Sequence, residues 1–382
     1  MNLSDNNLDY EIKLDTVRSG FTPTHCWVHP KAGIIPGNPP TVVMTMQKLL
    51  LSESDVFGPL HEMHTSDMGK TWHGPIYHES FEMRHEEDDT LVGVCDFTPS
   101  WHAASRKLLG IGHTVRYRKG RLKPGRTRET AYSVYDAETK TWSPWDVVEM
   151  PDKNKFVSSG AGCAQRVDLE NGDILIPIYF SESTADDAKR RFTVMRCSFD
   201  GNTLKYIEHG SEHILNTGRG YLEPSLTRFR STYYVTLRAN EYAYVSRSKD
   251  GMNFEEPRLW RWDDGSILPT YNTQQHWVTH SDGLFLVYTR IADNNGHVFR
   301  HRAPLFIAEV DPERMFIIRE TERILVPERG ARLGNFQVTN VTPEETWITV
   351  SEWMQPIGCE KYGSDNSIYS ARILWNKLNR YY

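Results

Sequence analysis

The chain has 382 residues and a formal net charge of −6, and this mild acidity is not typical of nucleic-acid-binding proteins, which usually carry a basic domain. No apolar run approaches the roughly 18 residues that a transmembrane helix needs, and the first residues lack a signal-peptide pattern. Five cysteines are few and odd in number, so a disulfide framework is not expected. We therefore expect a cytoplasmic protein with no nucleic-acid or membrane partner, unless a signal peptide has been trimmed; the sequence leaves the oligomeric state open.

A short turn motif recurs along the chain. Thr65–Trp72 fits the pattern S/T-x-D-x-G-x-T-W. Asp67 can accept backbone N–H groups inside a tight turn, Gly69 supplies a positive φ, and Trp72 begins an outer strand with a large apolar ring. Weaker copies follow at 135–142, 198–204, 248–254 and 310–316. Their spacing leaves room for the roughly 40–50 residues of a four-stranded propeller blade.

The composition favours strands over helices. Aromatic residues make up 12% of the chain, strand-like runs are frequent, and no long stretch has helical periodicity. A sixth unit, from 335 to about 375, lacks the turn motif but has matching strands. We predict an all-β fold, a six-bladed β-propeller of four-stranded antiparallel blades, formed by one domain over residues 1–382.

Loop lengths predict two different faces. Short turns join the first and second strands of each predicted blade, whereas the second and third strands are joined by long connections: about 47–62, 114–130, 180–191, 290–302 and 353–366. Because binding residues concentrate on long loops over a rigid scaffold, we expect the active site on this face, above the central funnel. The 114–130 connection is rich in arginine and lysine, and it is either a solvated hairpin or a flap that attracts an anionic substrate.

The turn motif resembles that of the sialidase superfamily, whose members are mostly six-bladed propellers. A second resemblance lies in Glu223–Arg238, because sialidases carry a Glu-Pro pair at the start of a middle blade, followed by a strand that ends in arginine. By this resemblance, Glu223 corresponds to the carboxylate that activates the nucleophile. Arg238 and Arg302 correspond to members of a three-arginine clamp for the substrate carboxylate. Asp55 lies in the loop where sialidases place their acid/base aspartate.

Two expected elements are absent from the sequence. Sialidases open the first blade with an Arg-Ile-Pro element, but here His25 stands near the position of that arginine, in 24–30. They also use a tyrosine nucleophile near the start of the last blade, and 334–338 contains none. The pattern therefore indicates a divergent member, closer to rhamnosidases and polysaccharide lyases of the same fold.

Several polar residues fall near predicted strand ends that face the funnel. A funnel histidine can transfer protons near neutral pH, or it can be a core histidine with backbone partners. Glutamines in this region can orient hydroxyl groups. The predicted catalytic residues are Glu223, His25 and Asp55, and the predicted substrate-binding residues are Arg238, Arg302, His276, Gln47 and His113.

Metal and cofactor sites are not expected. His61-x-x-His64 and His297-x-x-x-His301 have the spacing of metal-ligand pairs, but such pairs need a helix to face one another. The cysteines at 26, 95 and 163 fall at similar places in three blades. Small residues near a crowded axis explain them, with reactive thiols or a thiolate metal site as the alternative.

Three functions fit these residues. The first is an exo-glycosidase that cleaves a terminal bond in a glycan with an acidic sugar, using Glu223 in acid/base chemistry. The second is a lyase that acts on a uronate by β-elimination. The third is a non-catalytic glycan-binding propeller, which predicts a broad and scarcely charged funnel.

Overall fold

The computed structural model describes residues 8–381, and its regular structure is almost entirely β. Thirty strands in this part form six sheets. Its helical structure consists of four short 3-10 helices, Glu79–Phe81, Phe299–His301, Arg319–Thr321 and Cys359–Tyr362. None of these helices is long or apolar enough to cross a membrane. The predicted all-β class is confirmed.

The sheets follow one another along the chain. The exception is the first strand, β1 (Tyr10–Arg18), which belongs to the last sheet. The first sheet contains β2 (His25–Ile35), β3 (Thr41–Leu50), β4 (Phe57–Thr65) and β5 (His73–Tyr77). The second contains β6 (Arg84–Glu86), β7 (Thr90–His102), β8 (Lys107–Arg118), β9 (Arg121–Leu122), β10 (Thr130–Asp136), β11 (Thr141–Trp142) and β12 (Asp146–Val147). The third contains β13 (Ser158–Gly160), β14 (Val167–Asp168), β15 (Ile174–Ser181), β16 (Arg191–Phe199), β17 (Leu204–His209) and β18 (His213–Ile214).

The remaining sheets complete the chain. The fourth contains β19 (Leu222–Phe229), β20 (Thr232–Arg238), β21 (Tyr244–Ser248) and β22 (Arg258–Leu259). The fifth contains β23 (His276–His280), β24 (Gly283–Tyr288), β25 (Leu305–Asp311), β26 (Phe316–Ile317) and β27 (Arg323–Val326). The sixth contains β28 (Gln337–Thr342), β29 (Glu345–Ser351), β30 (Ile368–Trp375) and β1.

Neighbouring sheets pack face to face around a common axis. Each adjacent pair encloses its own cluster of buried apolar side chains, and the cluster between the sixth and first sheets closes the series. Strand β1 pairs antiparallel with β30, so the start of the chain completes the last sheet. The fold is a β-propeller, as predicted. The prediction of four strands per blade is wrong for the second, third and fifth sheets. In each of them two short strands share the outer edge, and in the second and third sheets further short strands pair with inner ones: β6 with β7, β9 with β8 and β14 with β15.

The recurrent turns have the hydrogen bonds that their sequence predicts. In the first copy, Thr71 N–H donates to Asp67 Oδ1 at 3.0 Å and Gly69 N–H donates to Thr65 Oγ1 at 3.1 Å. In the other copies one aspartate accepts from the N–H groups two and three residues later: Asp136, Asp200, Asp250 and Asp311. Each turn joins the third strand of its sheet to the outer part.

A second repeat lies at the inner edges of the sheets. One residue of each sheet, in its innermost strand or in the chain next to that strand, has a positive φ between 42° and 60°. In three sheets this residue interrupts the pairing register with the next strand. The six residues are His29, Asp96, Cys163, Glu223, Asn272 and Asn335. The left-handed backbone turns these side chains out of the regular pleat, and three of them, Asp96, Glu223 and Asn335, line one pocket.

Candidate active site

A pocket of about 200 Å³ opens on the face that carries the long connections. The connections 51–56, 119–129, 289–304 and 352–367 all contribute to its wall. Three carboxylates, one histidine, one tyrosine and seven arginines line it: Asp55, Asp96, Glu223, His113, Tyr179, Arg126, Arg128, Arg219, Arg238, Arg300, Arg302 and Arg332. The expected location on this face agrees with the pocket.

A larger cavity, of about 570 Å³, opens at the opposite face beside Pro36, Trp101 and Tyr381. Its charged lining residues, Arg166 and Asp168, form an ion pair with each other at 2.9 Å. Charges that neutralise one another leave little capacity for proton transfer or anion binding. The smaller pocket is therefore the candidate active site, because ionisable groups of several types converge there.

Glu223 and Arg238 form the centre of one wall. Arg238 Nη1 donates to Glu223 Oε1 at 2.5 Å, and its Nε and Nη2 donate to Asn272 Oδ1 at 3.1 and 2.7 Å. Oε2 of Glu223 is buried and has no hydrogen-bond partner. One carboxylate oxygen is thus held in place, while the hydrogen-bonding capacity of the other is used by no described protein group.

Arg302 and Arg332 are buried guanidinium groups close to this wall. Arg302 is 3% exposed, donates to the Asn272 carbonyl at 2.5 Å, and has an unpartnered Nε. Arg332 stacks on Trp353 at 4.0 Å and also has an unpartnered Nε. Burial lowers the pKa of Arg332 to about 10, and burial, Arg238 and Arg332 lower that of Arg302. These two guanidinium groups are suited to binding an anion, because each has an N–H donor without a partner and because burial destabilises its positive charge.

Glycine permits the position of Arg302. A Cβ on Gly334 would lie 2.9 Å from Arg302 Nη1 and 3.2 Å from its Cδ. The segment before β28 therefore approaches the guanidinium more closely than any other residue type allows.

Asp96 lies at the centre of a second buried cluster. His113 Nε2 is 3.3 Å from Asp96 Oδ2, and His29 Nδ1 is 3.5 Å from Oδ1. Asn335 Nδ2 lies 3.0 Å from Asp96 Oδ1 and 2.7 Å from His29 Nε2. His113 Nδ1 donates to the Thr114 carbonyl at 2.9 Å, so Nε2 is the nitrogen that can exchange a proton at Asp96.

Burial determines the protonation of this cluster. Burial lowers the pKa of His113, Arg128 lowers it further, and Asp96 opposes both effects. Burial also lowers the pKa of His29, against the attraction of Asp96. Burial raises the pKa of Asp96, but the charge of His29 and the hydrogen bond from His113 outweigh it and hold this pKa well below its usual value. A carboxylate within hydrogen-bonding distance of an imidazole is an arrangement for proton transfer.

The same cluster contains the donor types of a transition-metal site. Ligand atoms of Cys95, Asp96 and His113 lie within 4.8 Å of one another. Burial raises the pKa of the Cys95 thiol well above its ordinary value, which keeps it protonated and weakens it as a ligand. Several arginines also line the pocket, and they repel a cation.

Asp55 and Tyr179 occupy the remaining wall. Asp55 is half-buried in the connection between β3 and β4, and its backbone has a φ of 56°. Tyr179 is buried beneath the Arg128 guanidinium, which lies 5.3 Å from the ring centre. Burial raises the pKa of Tyr179, so its hydroxyl is protonated at neutral pH.

Five of the residues predicted from sequence converge in the pocket: Glu223, Asp55, Arg238, Arg302 and His113. The other three lie elsewhere. His276 is fully buried at the start of β23, where it contacts Ser225 Oγ at 2.8 Å and packs edge-on against Phe336. Burial, then Lys31, lower its pKa well below the ordinary value. The core-histidine interpretation describes its environment.

Gln47 and His25 are the other two. Gln47 Nε2 donates to the carbonyls of Gly58 and Val94, at 2.7 and 2.9 Å, and so connects the first two sheets. His25 contacts Thr24 in a separate surface groove. The expectation that His25 faces the funnel is wrong, because the irregular pairing after Val28 brings His29 inward instead.

The histidine pairs with metal-like spacing do not form a common site. His61 contacts the Pro59 carbonyl, and His64 contacts Glu62. His297 pairs with Glu328 at 2.8 Å, whereas His301 contacts Asn295.

The arginine-rich connection after β8 combines both interpretations made from sequence. Arg116 forms ion pairs with Glu86 and Glu129, each at 2.8 Å, and Arg118 is exposed. Arg126 and Arg128 line the pocket. Part of the connection is therefore an ordinary hairpin, and its returning segment belongs to the site.

Sequence reasoning missed several pocket residues: Asp96, Tyr179, Arg219, Arg300, Arg332 and Asn335. It also missed His29, which lies beside Asp96. One signal was present for His29, because His29-Pro30 repeats the Glu223-Pro224 pair at the corresponding strand position. The others required knowledge of which loops meet.

Comparisons with known proteins agree with this geometry at the level of the fold. No protein-family model matches the chain, and no curated protein matches it significantly. Trypanosoma rangeli sialidase in complex with the inhibitor DANA is similar with a TM-score of 0.63 and 15% identity, over 92% of this chain and 55% of that one. The NanB sialidase from Streptococcus pneumoniae has a TM-score of 0.58 and 10% identity, over 96% of this chain and 71% of that one.

A protein of unknown function from Dyadobacter fermentans has a TM-score of 0.59 and 13% identity, over 94% of this chain and 99% of that one. By contrast, the chain spans only about half the length of the Trypanosoma sialidase that it matches. These identities are too low to transfer an activity. The chain has the fold of a divergent, sialidase-like β-propeller.

Proposed function

We propose that the protein is an exo-acting glycoside hydrolase that cleaves a terminal bond in a glycan with an acidic sugar. In this proposal the chain works as one propeller domain, with each of its six sheets as a blade. The observation that carries the proposal is the convergence of Glu223, with one free carboxylate oxygen, and buried arginines that have no carboxylate partner.

The arginines supply recognition of the substrate. Arg238 is oriented by Glu223 and Asn272, and Arg302 and Arg332 keep unpartnered Nε donors. A sugar carboxylate can accept two parallel N–H bonds from one guanidinium, which fixes both its position and its orientation. The unpaired donors then gain partners only when the ligand is bound.

Three carboxylates supply candidates for the chemical step. Glu223 acts in acid/base chemistry through its free Oε2, and Asp55 protonates the leaving oxygen from its loop at the pocket rim. The Asp96–His113 pair takes the role that the sequence suggested for His25, because its imidazole lies in the pocket, 3.3 Å from a carboxylate oxygen. The pocket's small size favours attack at a chain end.

The structural neighbours support the ligand class. Trypanosoma rangeli sialidase has been solved in complex with sialic acid, at 14% identity to this chain. The Arg-Ile-Pro element and the tyrosine of sialidases have no counterpart in 24–30 and 334–338 of this sequence. We therefore propose an acidic sugar that need not be sialic acid.

The experiment is a screen of glycosides capped by a uronate, rhamnose or sialic acid, with detection of the released sugar. Wild-type protein should release one acidic sugar, and Glu223→Gln should abolish most of this turnover. Glu170→Gln is the matched control, because Glu170 is exposed on the turn between β14 and β15, away from the pocket residues. Full turnover by Glu223→Gln would exclude the proposed mechanism.

Elimination on a uronate is the second candidate, and one observation favours it. His113 and Tyr179 lie edge-to-face in the pocket with ring centres 6.5 Å apart, beside arginines that could neutralise a uronate carboxylate. Ultraviolet absorbance of an unsaturated product identifies this reaction, whereas hydrolysis gives none. A purely binding propeller would bind the sugar and release no product, but the strongly charged pocket speaks against the uncharged funnel that this hypothesis predicts.

A further inference from the structure

We propose that the pocket binds a sugar carrying two anionic groups, with the second group held by Arg126 and Arg128; this rests on the proposed function only in that the ligand is an acidic sugar. The first group would be the carboxylate at Arg238 and Arg302. The second would be a further carboxylate or a sulfate, since both offer oxygen acceptors to a planar guanidinium.

The charge of the pocket exceeds what one carboxylate requires. Seven arginines and three carboxylates line it, so the arginines outnumber the carboxylates by four. Among the described residues, only Arg238 of these seven has a carboxylate within ion-pairing distance. Guanidinium groups that share a partly buried space repel one another, and this repulsion is relieved when an anion enters.

The arginines form two groups on different elements. Arg302 has its strongest arginine interactions with Arg238 and Arg332, on the wall built around Glu223. Arg126 interacts with Arg128 on the hairpin after β8, and the charge of Asp55 lies near it. Two groups on separate elements suit two anionic groups better than one.

The hairpin provides an internal comparison. Arg116 is neutralised by Glu86 and Glu129 and has a structural role. Arg126 has a single long hydrogen bond, to the Lys123 carbonyl at 3.4 Å, and Arg128 contacts the ring of Tyr179. Acidic partners therefore neutralise the structural arginine, whereas none of the described carboxylates forms an ion pair with the two arginines that line the pocket.

Gly160 brings Arg128 close to the inner strands. A Cβ at Gly160 would lie 3.0 Å from Arg128 Cδ and 2.9 Å from His113 Cβ. The guanidinium is consequently packed beside the Asp96–His113 cluster rather than extended into solvent. A sugar that contacts both Arg128 and Oε2 of Glu223 must span the pocket. A monosaccharide with two anionic substituents can do this.

The test measures binding to the Glu223→Gln protein, so that ligands are not consumed and the result does not depend on cleavage. The probes are methyl glucuronide, the same glucuronide with one O-sulfate, and glucaric acid, titrated calorimetrically at low ionic strength. We expect the sulfated or the dicarboxylate probe to bind at least about tenfold more tightly than methyl glucuronide. The tighter of the two identifies the second group.

Substitutions then assign the groups. In that background Arg126→Gln and Arg128→Gln should remove the tenfold preference and change methyl glucuronide binding less than about twofold, whereas Arg302→Gln should weaken every probe. Arg118→Gln is the control, because Arg118 is exposed on the same hairpin. Equal affinity for singly and doubly charged probes would overturn the proposal, as would an equal loss for all probes in Arg128→Gln, or no binding of any probe. Circular dichroism and the melting temperature verify that each variant is folded.

Discussion

Arg238 donates one short hydrogen bond to Glu223 and leaves the second carboxylate oxygen of Glu223 buried without a partner. The two charges compensate one another in a buried place, because removing either member would leave the other uncompensated. The same contact orients the guanidinium that we assign to the substrate. Recognition and chemistry are therefore coupled through one pair of side chains.

This coupling predicts how Glu223→Gln alters the kinetics. The amide keeps the shape of the side chain but cannot take a proton, so kcat should fall by about 100-fold or more. KM should change far less, because Asn272 still orients Arg238 through two hydrogen bonds. Steady-state kinetics on the glycoside found by screening measure both values. A raised KM with an unchanged kcat would assign Glu223 to positioning Arg238 only.

Gly162 should be required for the geometry of His113. A Cβ at this position would lie 2.1 Å from His113 Cδ2 and 3.0 Å from Asp96 Cβ, so Gly162→Ala must displace the imidazole. We expect turnover to fall by about tenfold or more while the protein remains folded. Gly296→Ala is the control, since a Cβ there meets nothing within 4 Å. Activity of Gly162→Ala at the control level would exclude a role for His113.

Glu62 should contribute strongly to stability. Its fully buried carboxylate accepts from four side chains: His64 at 3.1 Å, His78 at 2.9 Å, Tyr135 at 3.2 Å and Trp142 at 3.0 Å. Tyr135 and Trp142 belong to the second sheet, so this network fastens two neighbouring sheets together. Glu62→Ala leaves these donors unsatisfied and should lower the free energy of unfolding by about 3 kcal/mol or more.

Chemical denaturation of Glu62→Ala measures this loss. Trp142→Phe removes one donor and keeps the carboxylate, so it should cost about 1–3 kcal/mol. The double variant should lose less than the sum of the two single losses, because the residues are in contact. Additive losses would mean that the residues act independently.

His276 should make stability depend on pH. Its pKa in the folded protein is well below 6.5 because of burial and the nearby Lys31, whereas in the unfolded chain it returns to the ordinary value. Between these two values the unfolded chain binds a proton that the folded chain does not, so the free energy of unfolding falls as the pH decreases below about 6.5.

His276→Gln removes the imidazole that binds this proton. It should therefore reduce the slope of the free energy of unfolding against pH by up to about 1.4 kcal/mol per pH unit. The substitution also removes the contact with Ser225. This loss lowers the free energy of unfolding equally at every pH, so it does not alter the slope. Denaturant unfolding at several pH values from about 8 to about 5 measures both quantities. An unchanged slope would show that His276 takes up its proton without unfolding.

The turn motif and the pattern of strands determined the all-β propeller, because both depend on contacts within a few residues of one another. Asp67 and its four copies make hydrogen bonds to backbone groups close in sequence. The stretch from Glu223 to Arg238 was likewise readable, since both residues belong to one antiparallel strand pair. Asp55 and Arg302 were predicted from the resemblance to sialidases, and His113 from its place at a strand end on the side of the long loops; all three line the pocket.

Only the tertiary structure decided how the pocket is completed. His29 replaces His25 because a local break in strand pairing rotates the backbone, which the alternation of side chains in the sequence does not reveal. Asp96, Arg128, Arg332 and Asn335 meet because separate sheets bring distant segments to one axis. Convergence of this kind depends on how the sheets pack, and no short stretch of sequence contains it.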